Sequence, residues 1–145
     1  EIIKCDWSSD VCSSDLGELR IFTDAAGIDF IALVAPTTGR DRLKTIVQDA
    51  TGFLYYISIT GVTGAAAPKV EDISREVGKI RKMTKLPIAV GFGISCADQA
   101  RAIARIADGV VIGSAVVRRI DENRANSDCI QTVCAYVREI KEALS

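Results

Sequence analysis

"PIAVGFGISCADQARAIARIA", residues 87–107, contains the unit from which the fold is read. A short apolar run, 87–90, ends in two glycines that bracket a phenylalanine. Ser95 follows, with Asp98 three residues on, and a stretch of helical period begins there. That spacing reads as a capping box with Asp in place of the commoner Glu. Glycines at such a junction have two uses. They make a tight turn, or they let an anion approach the backbone N–H groups of the next helix. On this stretch alone both uses stay open.

Working outward, three more runs have the same character: "DFIALV" (29–34), "FLYYISI" (53–59) and "GVVI" (109–112). Each is continuous rather than alternating, the pattern of strands buried on both faces in a parallel sheet. Helical patterns lie between them. Leu43, Ile46 and Val47 share a face of 40–50, and Val70, Ile73, Val77 and Ile80 share a face of 70–84. In the latter, Glu71 and Asp72 come early and Lys79, Arg81 and Lys82 late, which complements the helix dipole. A last helix over about 125–144 carries Ile130, Val133, Val137, Ile140 and Leu144, and a leading helical piece covers about 17–26. The order is helix, then strand–helix four times. That alternation predicts an α/β fold with parallel strands. A doubly wound sheet and part of a (β/α)8 barrel both fit, and a whole barrel needs about 250 residues.

The chain has 145 residues, 48% hydrophobic and 26% charged, the profile of one ordinary globular domain. Eighteen basic and 19 acidic residues give a net charge of −1, which excludes a basic nucleic-acid footprint. No apolar run approaches the roughly 20 residues of a membrane span, and no signal peptide is evident. Cysteines at 5, 12, 96, 129 and 134 form no CxxC pair, and there is no histidine. That excludes zinc-ligand spacing and every Ser-His or Cys-His nucleophilic scheme within this chain. The thiols read as reduced and structural. Residues 1–16, "EIIKCDWSSDVCSSDL", lack any clean period and resemble a translated sequencing adaptor. The domain is therefore expected to cover 17–145, with 1–16 as a non-native tail.

Glycines cluster after three of the strands, in "TGVTGAAAP" (60–68), "GFGIS" (91–95) and "GSA" (113–115). In a parallel α/β fold these strand ends share one edge, where ligands bind. Gly93, Gly113 and Ser114 are candidates for a phosphate site built from backbone N–H groups. "GFGISCA" has only two glycines and does not match the GxGxxG dinucleotide fingerprint. "TGVTGAAAP", with Gly61 and Gly64 as hinges and Pro68 as a stop, reads as a mobile lid or as a plain solvent loop.

Four blocks together carry a resemblance. "LVAPTTGRDRL" (33–43), "FLYYISITGVTG" (53–64), "LPIAVGFGIS" (86–95) and "ADGVVIGSAVV" (107–117) resemble, in order and spacing, the C-terminal half of the tryptophan synthase alpha subunit over residues 17–120. The resemblance implies the last four βα units of a (β/α)8 TIM barrel. It implies a lyase of tryptophan biosynthesis, cytoplasmic, that splits indole-3-glycerol phosphate by a retro-aldol reaction into indole and glyceraldehyde 3-phosphate. It implies a beta-subunit partner that receives the indole and holds pyridoxal phosphate, with no cofactor in this chain. The site residues it implies are backbone amides at Gly64, Gly93, Gly113 and Ser114 for the substrate phosphate. Leu33, Phe92 and Ile112 would line the indole pocket, Tyr55 would position the substrate, and Thr63 on the lid would bond the catalytic aspartate.

Two departures qualify the match. Ile59 stands where the family's lid often carries an arginine. No residue here matches the family's catalytic glutamate and aspartate, and Asp24, Asp29 and Glu71 do not fill those roles. A retro-aldol step needs an acid and a base, so the isolated chain is expected to show weak lyase activity or none. The alternatives are a non-catalytic half-barrel that binds phosphate or a partner, and another phosphate-binding barrel enzyme.

Overall fold

The structure is a computed structural model and describes residues 16–58, 69–91 and 93–144. The chain divides into two compact units, residues 1–30 and 31–145. In the first unit, helix α1 spans Leu16–Ala25. It ends in a left-handed glycine, Gly27 at φ 65°. Gly27 N–H donates to Asp24 (3.1 Å) and Ile28 N–H to Thr23 (2.8 Å), the paired bonds of a Schellman cap.

The second unit is a parallel sheet with helices between the strands. In chain order it runs β1 (Ala32–Val34), α2 (Arg40–Asp49), β2 (Leu54–Ile57), α3 (Val70–Arg81), β3 (Ile88–Gly91), α4 (Ala97–Ala104), β4 (Gly109–Val111), α5 (Ser114–Asn123) and α6 (Cys129–Ala143). The sheet order is β1-β2-β3-β4, so each strand pairs with its neighbour in sequence. A doubly wound sheet reverses its strand order at a switch point, whereas a barrel adds strands in one direction. The order has no such reversal among these four strands, as expected for part of a barrel.

Register sets the two faces. Ala32 pairs with Leu54 and Leu54 with Ile88; Val34 pairs with Tyr56, Tyr56 with Val90 and Val90 with Val110. Ala32, Val34, Leu54, Tyr56, Ile88 and Val90 are buried. They form one core cluster with Leu43 of α2, Ile73, Val77 and Ile80 of α3, Ala100 and Ile103 of α4, and Tyr136 and Ile140 of α6. The intervening positions Leu33, Tyr55, Ala89 and Gly109 lie in register on the other face, followed by Ile57, Gly91 and Val111. There Leu33 is 49% exposed. The continuous apolar runs led to an expectation of burial on both faces, but in this chain only the helix-covered face is sealed.

Two other expectations are corrected. Helix α4 begins one residue later than the capping-box reading, with Cys96 as the N-cap and no side-chain cap bond. Gln99 does the reciprocal work instead: its Oε1 accepts from the Ser95 N–H at 2.8 Å and from the Ser95 hydroxyl at 3.3 Å. The segment after β4 is also helical, so α5 precedes α6 where a single late helix was expected.

A clip fixes the N-terminal edge of the sheet. Asp108 Oδ2 accepts from the Ile88 N–H at 2.9 Å and pairs with Arg81 at 3.0 Å, while Asp108 N–H donates to Ile88 O at 2.9 Å. One side chain thus ties α3 to the start of β3 and to the approach to β4. The Ile88 N–H and the Arg81 guanidinium hold this carboxyl below the usual carboxylate range, against a smaller opposing effect of burial.

Candidate functional site

The C-terminal ends of four parallel strands share one edge of the sheet. Gly91 pairs with Val111. Gly93 and Gly113 each lie two residues beyond that pair, on the exits of neighbouring strands. Gly93 adopts φ 81°, a left-handed conformation that an L side chain takes only with strain. Gly113 is the residue before α5, and a Cβ built on it would meet nothing within 4 Å. The Gly113 carbonyl accepts from Val116 (2.9 Å) and Val117 (3.1 Å), and Ser114 is the exposed first residue of the helix. Early N–H groups of a helix have no intrahelical partner and favour an anion. The edge therefore combines a left-handed glycine turn with a helix N-terminus, both open to solvent.

Below these loops is the inner face. Leu33 and Tyr55 are direct register partners there. Tyr55 is packed over Gly91: a Cβ on Gly91 would lie 2.9 Å from Tyr55 Cζ and 3.0 Å from Val111 Cβ. The glycine is what allows the tyrosine ring to lie against the strand. Ser58 closes the end of β2 onto β3, with both its N–H and its hydroxyl donating to Gly91 O at 3.0 Å.

Of the residues picked out from the sequence, Leu33 and Tyr55 share the inner face, and Gly93, Gly113 and Ser114 share the loop edge. Thr63, Gly64, Phe92 and Ile59 lie outside the described residues. Ile112 is placed differently from the indole-pocket expectation. It packs on the helix side of β4, in a groove with Val110, Val116, Tyr136 and Val137. Val111 holds the inner-face position instead. A period-2 count along "GVVI" separates the two, and it could have been made from the sequence. Gly91 and Tyr136 were also missed. The contact with Tyr55 joins residues on different strands, which carries no local sequence signal. Among the described residues no cluster of His, Cys, Asp and Glu could hold a metal ion, and no helix is long and apolar enough to cross a membrane.

Four sequential parallel strands with helices on one face, and a glycine-lined edge at their C-terminal ends, define the architecture of a (β/α)8 barrel over four of its units. The model of the tryptophan synthase alpha chain family matches residues 8–145, and the chain belongs to that family. The alpha chain of Neisseria meningitidis serogroup B is 47% identical over 118 residues, covering 81% of this chain and 44% of the relative. The chain thus spans a little under half the length of that curated relative. Tryptophan synthase subunit alpha from Legionella pneumophila superposes with a TM-score of 0.74 at 31% identity, over 88% of this chain and 46% of that one. Tryptophan synthase from M. tuberculosis, in its aminoacrylate-bound form, gives a TM-score of 0.77 at 26% identity, over 94% and 48%.

Proposed function

We propose that this chain supplies the phosphate-binding edge and part of the indole pocket of a tryptophan synthase alpha subunit. The reaction is the retro-aldol cleavage of indole-3-glycerol phosphate to indole and glyceraldehyde 3-phosphate. In this reading the amides of Gly93, Gly113 and Ser114, with Gly64 on the preceding loop, hold the phosphate. Leu33 and Phe92 contact the indole, and Val111 takes the inner-face place first assigned to Ile112. Tyr55 orients the substrate, and Thr63 bonds a catalytic aspartate that this chain does not itself supply. The chain needs no cofactor. Its partner is the beta subunit, which holds pyridoxal phosphate, and the complex works in the cytoplasm. Residues 1–16 are read as a non-native tail from their resemblance to a translated sequencing adaptor; the family match starts at residue 8.

The observation that carries the reading is the left-handed Gly93 beside the open N-terminus of α5 on one sheet edge. Substrate binding without turnover is the direct test. In a phosphorus-NMR titration of the 145-residue chain with indole-3-glycerol phosphate, the parent is expected to bind. Gly93→Asp is expected to abolish binding, because it places a carboxylate in the anion site and strains a left-handed position. Equal affinity in parent and variant refutes the site.

A further inference from the structure

We infer that Tyr136 is a positioning residue for the phosphate site, holding both arms of that site at once from the middle of α6. The inference rests on the phosphate reading proposed above. Tyr136 is 4% exposed. Its phenol O–H donates to the Ser95 carbonyl at 3.0 Å, across 41 residues of chain. The Arg119 guanidinium stacks on its ring, 4.2 Å from the centroid. Ser95 lies two residues beyond Gly93, on one arm. Arg119 lies about a turn and a half along the helix that Ser114 opens, on the other.

The chemistry of the contact is specific to tyrosine. A loop with a left-handed glycine has several backbone arrangements of similar energy, and amides grip an anion only in one of them. Here the Ser95 N–H is taken by Gln99 Oε1 at 2.8 Å and its carbonyl by Tyr136. The peptide planes on both sides of Ser95 are thereby fixed, and with them the direction from which the chain leaves Gly93. Phenylalanine would fill the same space and keep the stacked Arg119, but it would release the carbonyl. Tyr136 touches neither substrate nor reacting atoms, so its effect is on how well the amides are aligned before the ligand arrives.

The test uses the 145-residue chain as parent, Tyr136→Phe, and Ile140→Val as a control that trims a buried residue of the same helix away from the loop. The probes are glycerol 3-phosphate and inorganic phosphate, followed by calorimetry and by the amide shifts of Gly93 and Ser95. Tyr136→Phe is expected to weaken glycerol 3-phosphate about three- to ten-fold, the loss of one hydrogen bond. It is also expected to shift the Gly93 and Ser95 amides in the free protein. Ile140→Val is expected to lower the urea midpoint and leave affinity unchanged. Unchanged affinity in Tyr136→Phe, or equal weakening in both variants, overturns the inference while the phosphate site stands. If the parent binds neither probe, the phosphate reading itself fails and takes the inference with it.

Discussion

Gly91→Ala is the substitution whose consequence follows most directly from the geometry. The new methyl would sit 2.9 Å from Tyr55 Cζ and 3.0 Å from Val111 Cβ, both inside van der Waals contact. Overfilling of a packed site costs about 1–3 kcal/mol. The tyrosine ring is the end of a side chain on a half-exposed face and can swing away at about 0.5–1.5 kcal/mol for an off-rotamer angle. Val111 Cβ is tied to the backbone and cannot swing, so its strand must give. Together these set the expected loss at about 1–2 kcal/mol, a fall in Tm of roughly 2–4 °C per kcal/mol for a chain of this size. Thermal and urea unfolding would measure it. Tyr55→Leu removes the obstructing ring, so the double variant should recover at least about 0.5 kcal/mol relative to the sum of the singles. Ligand binding should separate as well: the displaced ring blocks the inner face, so indole-3-glycerol phosphate weakens more than glycerol 3-phosphate. Full additivity of the two substitutions, or parent-like stability of Gly91→Ala, would refute the packing argument.

Two further outcomes concern stability and pH. Asp108→Asn keeps an acceptor for the Ile88 N–H but loses the half-exposed pairing with Arg81, and should cost under about 1 kcal/mol at pH 7. Because the folded carboxyl titrates below its ordinary value of about 3.9, the parent's extra stability is present above that value and is lost as pH falls through the depressed one. Urea midpoints of parent and variant should therefore converge below about pH 4. Tyr56 behaves oppositely: burial, then the charges of Glu76 and Asp72, push its phenol up to about 12. The unfolded phenol ionises near 10, so stability holds below that pH. It falls by about 1.4 kcal/mol per unit as pH rises toward the folded value. Tyr56→Phe should flatten this limb in denaturant titrations between about pH 9 and 11.5. A parent with no alkaline limb would contradict the upward shift of that phenol.

What was legible in the sequence was whatever repeats along the chain. The strand centres at 32–34, 54–57, 88–91 and 109–111 and the buried stripe Ile73–Val77–Ile80 all follow from local period. The strand order did not follow, because a parallel sheet and its crossovers are set by long-range pairing. Helix boundaries were least readable. Ser95 and Cys96 differ by one residue as N-cap, and Gln99 rather than Asp98 closes the turn, a choice of side-chain reach that spacing does not encode. Helix α5 was readable but missed: Val116, Val117 and Ile120 have helical spacing, although Val117 and Ile120 remain 65% and 46% exposed in this chain. At the site, Gly93 and Gly113 stood out as glycines at strand ends, whereas Gly91 and Tyr136 matter through partners 36 and 41 residues away in sequence.

The distribution of bulk across the sheet explains why stability and binding should respond to different substitutions. Along one inner-face row the residues run Leu33, Tyr55, Ala89, Gly109, so side-chain volume is large on β1 and β2 and small on β3 and β4. On this row the small residues stand on β3 and β4, the two strands whose exits carry Gly93 and Gly113, and the large ones on β1 and β2. Small residues on that face give up burial that the strands must regain elsewhere. They regain it on the helix side, where Leu54, Ile88 and Val90 are fully buried, and at the opposite edge through the Asp108 clip. Truncating a fully buried leucine or isoleucine costs about 2–5 kcal/mol, whereas Leu33, half exposed on the inner face, has far less to lose. Leu54→Ala should therefore unfold the chain under conditions where Leu33→Ala leaves it folded and weakened only toward the indole-bearing ligand. The small residues of that row thus shift the burden of stability to the helix-covered face.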